Sequence, residues 1–131
     1  MADEIRQLGA TTVLVCDPAG PPVATEQDAL DLIGAAFAGA EVVAVPANRL
    51  DERFFRLGTR FAGEVMQKFV NYHLRLAVIG DIDEHTRQSE ALQALVRESN
   101  GGNHIWFLRD LDALEARLTA GRAPTPPASG R

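Results

Sequence analysis

The sequence predicts an α/β fold: one domain on a mixed, mostly parallel sheet that opens with a β-hairpin, in the order ββαβαβαβα. Three observations lead there. Over residues 54–81 an apolar period of three to four residues gives way to a continuous apolar run that ends in Gly80-Asp81, the pattern of a helix delivering the chain to a strand covered on both faces. Similar short apolar runs recur at residues 12–16, 41–45 and 105–108, separated by stretches with helical spacing. Alternation of this kind folds as right-handed strand–helix–strand crossovers, so the later strands run parallel and the helices cover the sheet.

The elements follow in order. Thr12-Val13-Leu14-Val15-Cys16 is a β-branched run that stops at the turn cluster Asp17-Pro18-Ala19-Gly20-Pro21-Pro22, and Val23-Ala24 returns to complete a hairpin. Thr25, with Asp28 three residues on, makes a capping box for a helix whose apolar face is Ala29, Leu30, Leu32, Ile33, Ala36 and Phe37, ended by Gly39. A strand over 41–45 stops at Pro46. The next apolar face is Phe54, Leu57, Phe61, Val65 and Phe69. Glycine inside a helix costs about 1 kcal/mol against alanine, so Gly58 sets the true helix start near Gly58-Thr59, after a separate turn over 51–56. Gly63 is expected to mark a close approach of that helix to the sheet, and Asn71 to be its left-handed cap.

The apolar run 74–79 should be the central strand. Thr86 or Asp83 caps a helix carrying Leu92, Leu95 and Val96, which ends at Asn100-Gly101-Gly102; residues 105–108 form the last strand, and Asp110 caps a final helix with Leu111, Leu114 and Leu118. From Gly121 onward the chain is Pro-, Gly-, Ser- and Ala-rich with nothing to bury. This predicts a domain over 1–120 and a disordered tail over 121–131.

Composition narrows the function classes. At 131 residues with 46% hydrophobic content the chain can bury a substantial core. A net charge of −5 argues against broad nucleic-acid binding, which needs a basic face. The acidic start Met1-Ala2-Asp3-Glu4 lacks the pattern of a signal peptide, and no apolar run approaches the roughly 18 residues of a spanning helix; the expectation is a cytoplasmic protein without a membrane partner. The single Cys16 excludes an intrachain disulfide and a multi-cysteine metal site, and its apolar run reads it as a small buried hydrophobe.

The run Phe61-Ala62-Gly63-Glu64-Val65-Met66-Gln67-Lys68-Phe69-Val70-Asn71-Tyr72 resembles the signature of a bacterial family known only as a domain of unknown function, the 4180 group. The resemblance continues through Ala77-Val78-Ile79-Gly80-Asp81, Glu98-Ser99-Asn100 and Gly102-Asn103-His104, and so covers most of the chain between Asp28 and Phe107. Members often carry Ser-x-Ser-Leu before the third helix; this chain keeps Ser89 but has Ala91 before Leu92. The resemblance implies no known activity. More distantly, the element order is similar to the STAS domain of anti-sigma-factor antagonists, where a strand runs into a loop bearing a phosphorylatable Ser or Thr. Leu57-Gly58-Thr59 stands in a comparable place, without the usual Asp-Ser motif and after a longer connection. That likeness is one of topology, and fold does not imply function.

In an open α/β sheet the loops leaving the carboxyl ends of the strands are where ligands bind, and two of them carry charge. Arg49, Arg53, Arg56 and Arg60 recur at steps of four, three and four, a basic stripe if the helix is continuous, although Glu52 and Glu64 can pair with Arg56 and Arg60 at i,i+4. Asp81, Asp83, Glu84 and His85 crowd the loop after the strand at 74–79; they do not form a complete oxygen cage, and helix capping competes with metal binding. The expected binding residues are therefore Arg49, Arg53, Arg56, Thr59, Arg60, Asp81, Asp83 and His85. No catalytic set, metal or cofactor is expected: there is no phosphate loop, the histidines have no shared spacing, and Ser89, His85 and Asp81 lack a nucleophile elbow. The chain reads as a regulatory or interaction module that binds a protein or a small anionic ligand. The rival is a small enzyme using Asp81, with Arg49 or Arg56 orienting an anionic substrate, and a homodimer through an exposed helix or sheet edge is compatible with either.

Overall fold

The computed structural model describes residues 3–122, with side-chain detail to Ala120. Its strands are β1 (Glu4–Leu8), β2 (Thr11–Val15), β3 (Val42–Pro46), β4 (Arg75–Ile79) and β5 (Ile105–Leu108), and its helices α1 (Glu26–Ala36), α2 (Phe61–Asn71), α3 (Asp83–Arg87), α4 (Glu90–Asn100) and α5 (Leu111–Arg122). Three single 3-10 turns, Ala47–Arg49, Glu52–Phe55 and Leu57–Thr59, fill the connection from β3 to α2. The sheet order is β1-β2-β3-β4-β5. β1 lies antiparallel on β2, and β2 to β5 run parallel.

Because each crossover moves one strand further in the same direction, right-handed connections put α1, α2 and α4 on one face of the sheet. Strand residues alternate accordingly. Leu14, Val43, Val45, Leu76, Val78, Ile105 and Phe107 join Phe54, Phe61, Val65, Phe69 and Leu92 in the larger core. Val13, Val42, Ala44, Ala77 and Trp106 point the other way, to Leu114 and Leu118 of α5. Each large side chain that is fully removed from water, Phe54 and Phe69 among them, contributes about 1.5–3 kcal/mol. One helix thus covers a sheet face whose opposite side carries three.

Several expectations hold in detail. Thr25 and Asp28 form the reciprocal capping box of α1. The helix α2 begins at Phe61 after separate turns, and Asp110 accepts the Ala113 N–H at the start of α5 at 2.8 Å. Others are corrected. The hairpin partner of β2 is β1, upstream of it, joined through Gly9 at φ 64°; Val23 makes only an isolated parallel bridge to Leu50. The predicted helix after β4 is two helices, because Ser89, extended at φ −148°, caps α4 by accepting the Leu92 N–H. Gly63 is exposed with nothing within 4 Å of where a Cβ would sit, so it marks no close approach to the sheet. The left-handed residue after α2 is His73, not Asn71, and Phe37 is 62% exposed beyond the buried face of α1. β4 is interior, but β3 is the middle strand. The expected tail lies outside the described residues from Ala123 onward.

Candidate functional site

The loops at the carboxyl ends of the parallel strands are held by one buried cation. Arg49 is 4% exposed. It donates to Asp3 Oδ1 at 2.9 Å, to the Pro21 carbonyl at 2.8 Å and to the Asp17 carbonyl at 3.2 Å, and Gly20 lies so close that a Cβ there would come within 2.8 Å of the guanidinium. Asp3 also accepts the Asp17 N–H. Arg49 therefore ties the N-terminal segment, the turn after β2 and the turn after β3 into one unit. Its charge is used inside the fold, so the expected role in binding a ligand does not fit its position.

The other arginines separate. Arg53 bends back over the Phe61 ring at 4.8 Å, pairs with Asp51 at 3.0 Å and donates to the Ala24 carbonyl. Arg56, 68% exposed, pairs with an equally exposed Glu52 at 3.4 Å. Arg60 is exposed in the left-handed conformation at φ 66°, which ends any continuous helical stripe, and among the described residues it forms no ion pair with Glu64. The Thr59 hydroxyl donates within the turn to the Arg53 and Arg56 carbonyls at 2.8 Å each. This geometry closes the turn that launches α2.

After β4, Gly80 at φ 137° turns the chain. A Cβ there would meet Ala47 at 3.4 Å. Asp81 then accepts the Asp83 N–H at 2.9 Å, Asp83 faces Arg109 at 3.8 Å across exposed surface, and His85 stacks on Phe55 with ring centroids 4.2 Å apart. That stack brings the 81–85 loop against the 52–55 turn, so the two charged loops are neighbours. Among the described residues no group of three His, Cys, Asp or Glu is arranged to hold a metal ion, and no helix is long and apolar enough to cross a membrane.

On the α5 side of the sheet a groove of about 580 Å³ opens at the carboxyl ends of β2, β3 and β4. Val15, Ala44, Pro46, Ile79 and Leu111 line its apolar part, and Glu4, Arg6, Asp17 and Asn48 its polar part. The volume falls in the range of small-molecule pockets. Cys16 borders it but is 2% exposed; burial, reinforced by the Asp3 carboxylate, pushes its thiol up to about 12, so it is a neutral wall. Asp17 is held below the usual carboxylate range, chiefly by the Ala19 N–H it accepts at 2.9 Å, and is a charged group on the rim. None of the eight residues expected to bind lines this groove. They share its end of the sheet but lie toward the other face, where Phe55 belongs to the core under α1, α2 and α4.

The groove was hidden in the sequence for two reasons. Its floor consists of strand residues that periodicity marks only as core, and α5 alone does not reach the carboxyl ends of three strands. A usable signal does exist: β2 and β4 are apolar on both faces, while the last helix offers only Leu111, Leu114 and Leu118 to cover the second face.

Residues 8–118 match the family described as a domain of unknown function (DUF4180), and the chain belongs to that family. No curated protein and no solved structure matches the chain.

Proposed function

We propose that this domain acts by binding, as a regulatory or interaction module of the bacterial cytoplasm, and that its ligand or protein partner docks in the groove beneath α5. The observation that carries this reading is the apolar floor of Val15, Ala44, Ile79 and Leu111, open at the end of a parallel sheet where α/β folds bind their ligands. An occupant with an apolar group of a few carbons would remove that floor from water, at about 25 cal/mol per Å² of apolar surface covered. Asp17 and Asn48 at the margin would orient its polar end. A STAS-like kinship fits the hairpin followed by alternating helices and parallel strands.

The enzyme alternative is weaker on geometry. Asp81 is engaged as a turn acceptor, Arg49 by Asp3, and Arg56 by Glu52 on exposed surface rather than in an enclosed cleft. A second binding surface has its own support: Arg56 and Arg60 are exposed in the connection whose Phe55 stacks on His85, and would suit an acidic partner or a small anion. In that reading Arg53, Thr59, Asp81, Asp83 and His85 shape the surface.

Affinity capture from a native extract distinguishes the two. Val15→Lys places a charge on the groove floor, and Arg56→Glu reverses one on the other surface; both should retain native circular dichroism. Loss of the same partners with Val15→Lys but not Arg56→Glu supports the groove. The reverse result moves the site to the arginine surface, and capture unchanged by either variant would sink both assignments.

A further inference from the structure

We propose that two copies of this chain pair through β1, antiparallel and centred on Ile5, joining their sheets into one. The two edges of the sheet are treated differently by the fold. At the β5 edge, Leu76 and Gly80 of the β4 segment bond to the His104 and Leu108 carbonyls, so the Phe107 backbone between them faces outward. The Asn100 side chain occupies it: its Nδ2 donates to the Phe107 carbonyl at 3.1 Å and its Oδ1 accepts the Phe107 N–H at 2.7 Å. That edge is closed by a side-chain amide acting as one more rung. At the β1 edge, only β2 bonds to the strand backbone among the described residues, and Glu4, Ile5, Arg6 and Gln7 are all exposed. Ile5, at 38%, is one of few large apolar residues open to water. An unpaired, uncovered edge is a template for another strand.

The charges on β1 select both the occupant and the alignment. A closed two-fold pairing of identical antiparallel strands must place some residue opposite its own copy. Centring on Glu4 sets two carboxylates against each other, and centring on Arg6 sets two guanidiniums together; like charges directly opposite are destabilising. Centring on Ile5 sets each Glu4 opposite the Arg6 of the second copy, twice, with the two Ile5 side chains in contact on the other face. Glu4 and Arg6 form no ion pair with any described residue of their own chain, so both are available. Since Glu4, Arg6 and Leu8 alternate onto the α5 side, the two grooves of such a dimer open on the same face of a continuous sheet.

Sedimentation equilibrium of the full chain tests it. The wild type is expected to show a reversible monomer–dimer equilibrium. Glu4→Arg alone and Arg6→Glu alone should each raise the dimer Kd at least about tenfold, since each turns two attractive cross-strand pairs repulsive. The decisive arm mixes the two variants. One then carries two positive charges at these positions and the other two negative, and the Ile5-centred alignment makes every pair opposite again, so the mixture should form a heterodimer about as tightly as the wild type dimerises. The doubly swapped chain, Glu4→Arg with Arg6→Glu, should also recover the homodimer. A wild type that stays monomeric at several hundred micromolar, a dimer indifferent to the single reversals, or variants that fail to recover on mixing would each overturn the proposal. Recovery on mixing also separates lost pairing from lost folding.

Discussion

Replacing Arg49 with methionine should destabilise the domain far more than any other arginine substitution in the segment. Methionine keeps most of the side-chain volume and removes the charge together with three hydrogen bonds, to Asp3 Oδ1, the Pro21 carbonyl and the Asp17 carbonyl. A hydrogen bond from a charged donor is worth about 1.5–3 kcal/mol when buried, and breaking one side of a buried ion pair costs about 3–5 kcal/mol. Asp3 is 22% exposed, so water can reach its carboxylate once the partner is gone, and the two carbonyls lie near the surface turn. The discounted cost is about 3 kcal/mol, which for a domain of this size lowers Tm by roughly 10 °C. Urea unfolding followed by circular dichroism measures it. The same geometry predicts coupling: Gly20→Ala crowds the guanidinium in the wild type but finds room when Arg49 is methionine, so the two substitutions should be non-additive by about 1 kcal/mol. A loss below about 0.5 kcal/mol for Arg49→Met, the ordinary value for an exposed ion pair, would refute the assignment of Arg49 as the tie between three chain segments.

Three further outcomes are expected. Ser89→Ala should cost about 1 kcal/mol in urea unfolding through the lost cap on the Leu92 N–H, whereas Thr86→Ala, inside α3 with its hydroxyl on the Asp83 carbonyl, should cost less than half of that; equal effects would contradict Ser89 as the cap of α4. Asp28→Ala should lose about 1 kcal/mol at neutral pH, because its carboxylate accepts the Ala24 and Thr25 N–H groups. Its pKa is lowered from 3.8 in the folded state, first by the Ala24 bond, so that stabilisation is present above about 3.8 and is lost as pH falls through the lower folded value. The gap between wild type and variant should therefore narrow when unfolding is repeated near pH 3; a gap that stays constant contradicts the carboxylate's role. The Cys16 thiol, with its pKa raised to about 12, should react with a disulfide reagent at pH 8 at least about a hundredfold more slowly than a free thiol. Fast labelling of the folded chain would mean that the groove wall opens.

The helices and parallel strands were legible because their signals are local. The capping box at Thr25, the apolar period through Phe61, Val65 and Phe69, and the continuous strand into Gly80 are read off neighbouring residues. β1 escaped because Glu-Ile-Arg-Gln-Leu is an edge strand with four of five residues exposed; without a buried face it has no apolar alternation to detect. Arg49 escaped for the opposite reason: its partners lie 28 to 46 residues away in sequence, so spacing grouped it with Arg53 and Arg56 instead of with Asp3. The split between α3 and α4 turns on one serine whose hydroxyl faces a backbone amide. The groove depends on how far α5 reaches along the sheet; its one sequence signal, strands apolar on both faces with only Leu111, Leu114 and Leu118 to cover the second, spans distant segments and is not local.

The central claim, that the functional surface is the groove under α5, is tested most directly by mapping where an apolar anionic probe binds the wild-type chain. Titration of the ¹⁵N-labelled protein with 1-anilinonaphthalene-8-sulfonate, followed by amide shift changes, should move Val15, Asp17, Ala44, Asn48, Ile79 and Leu111 together with one dissociation constant, and Val15→Lys should abolish the response. Shifts concentrated instead on Arg56, Arg60 and His85, or on the outer surface between α2 and α4, would contradict the account and move the binding site to the other face of the sheet.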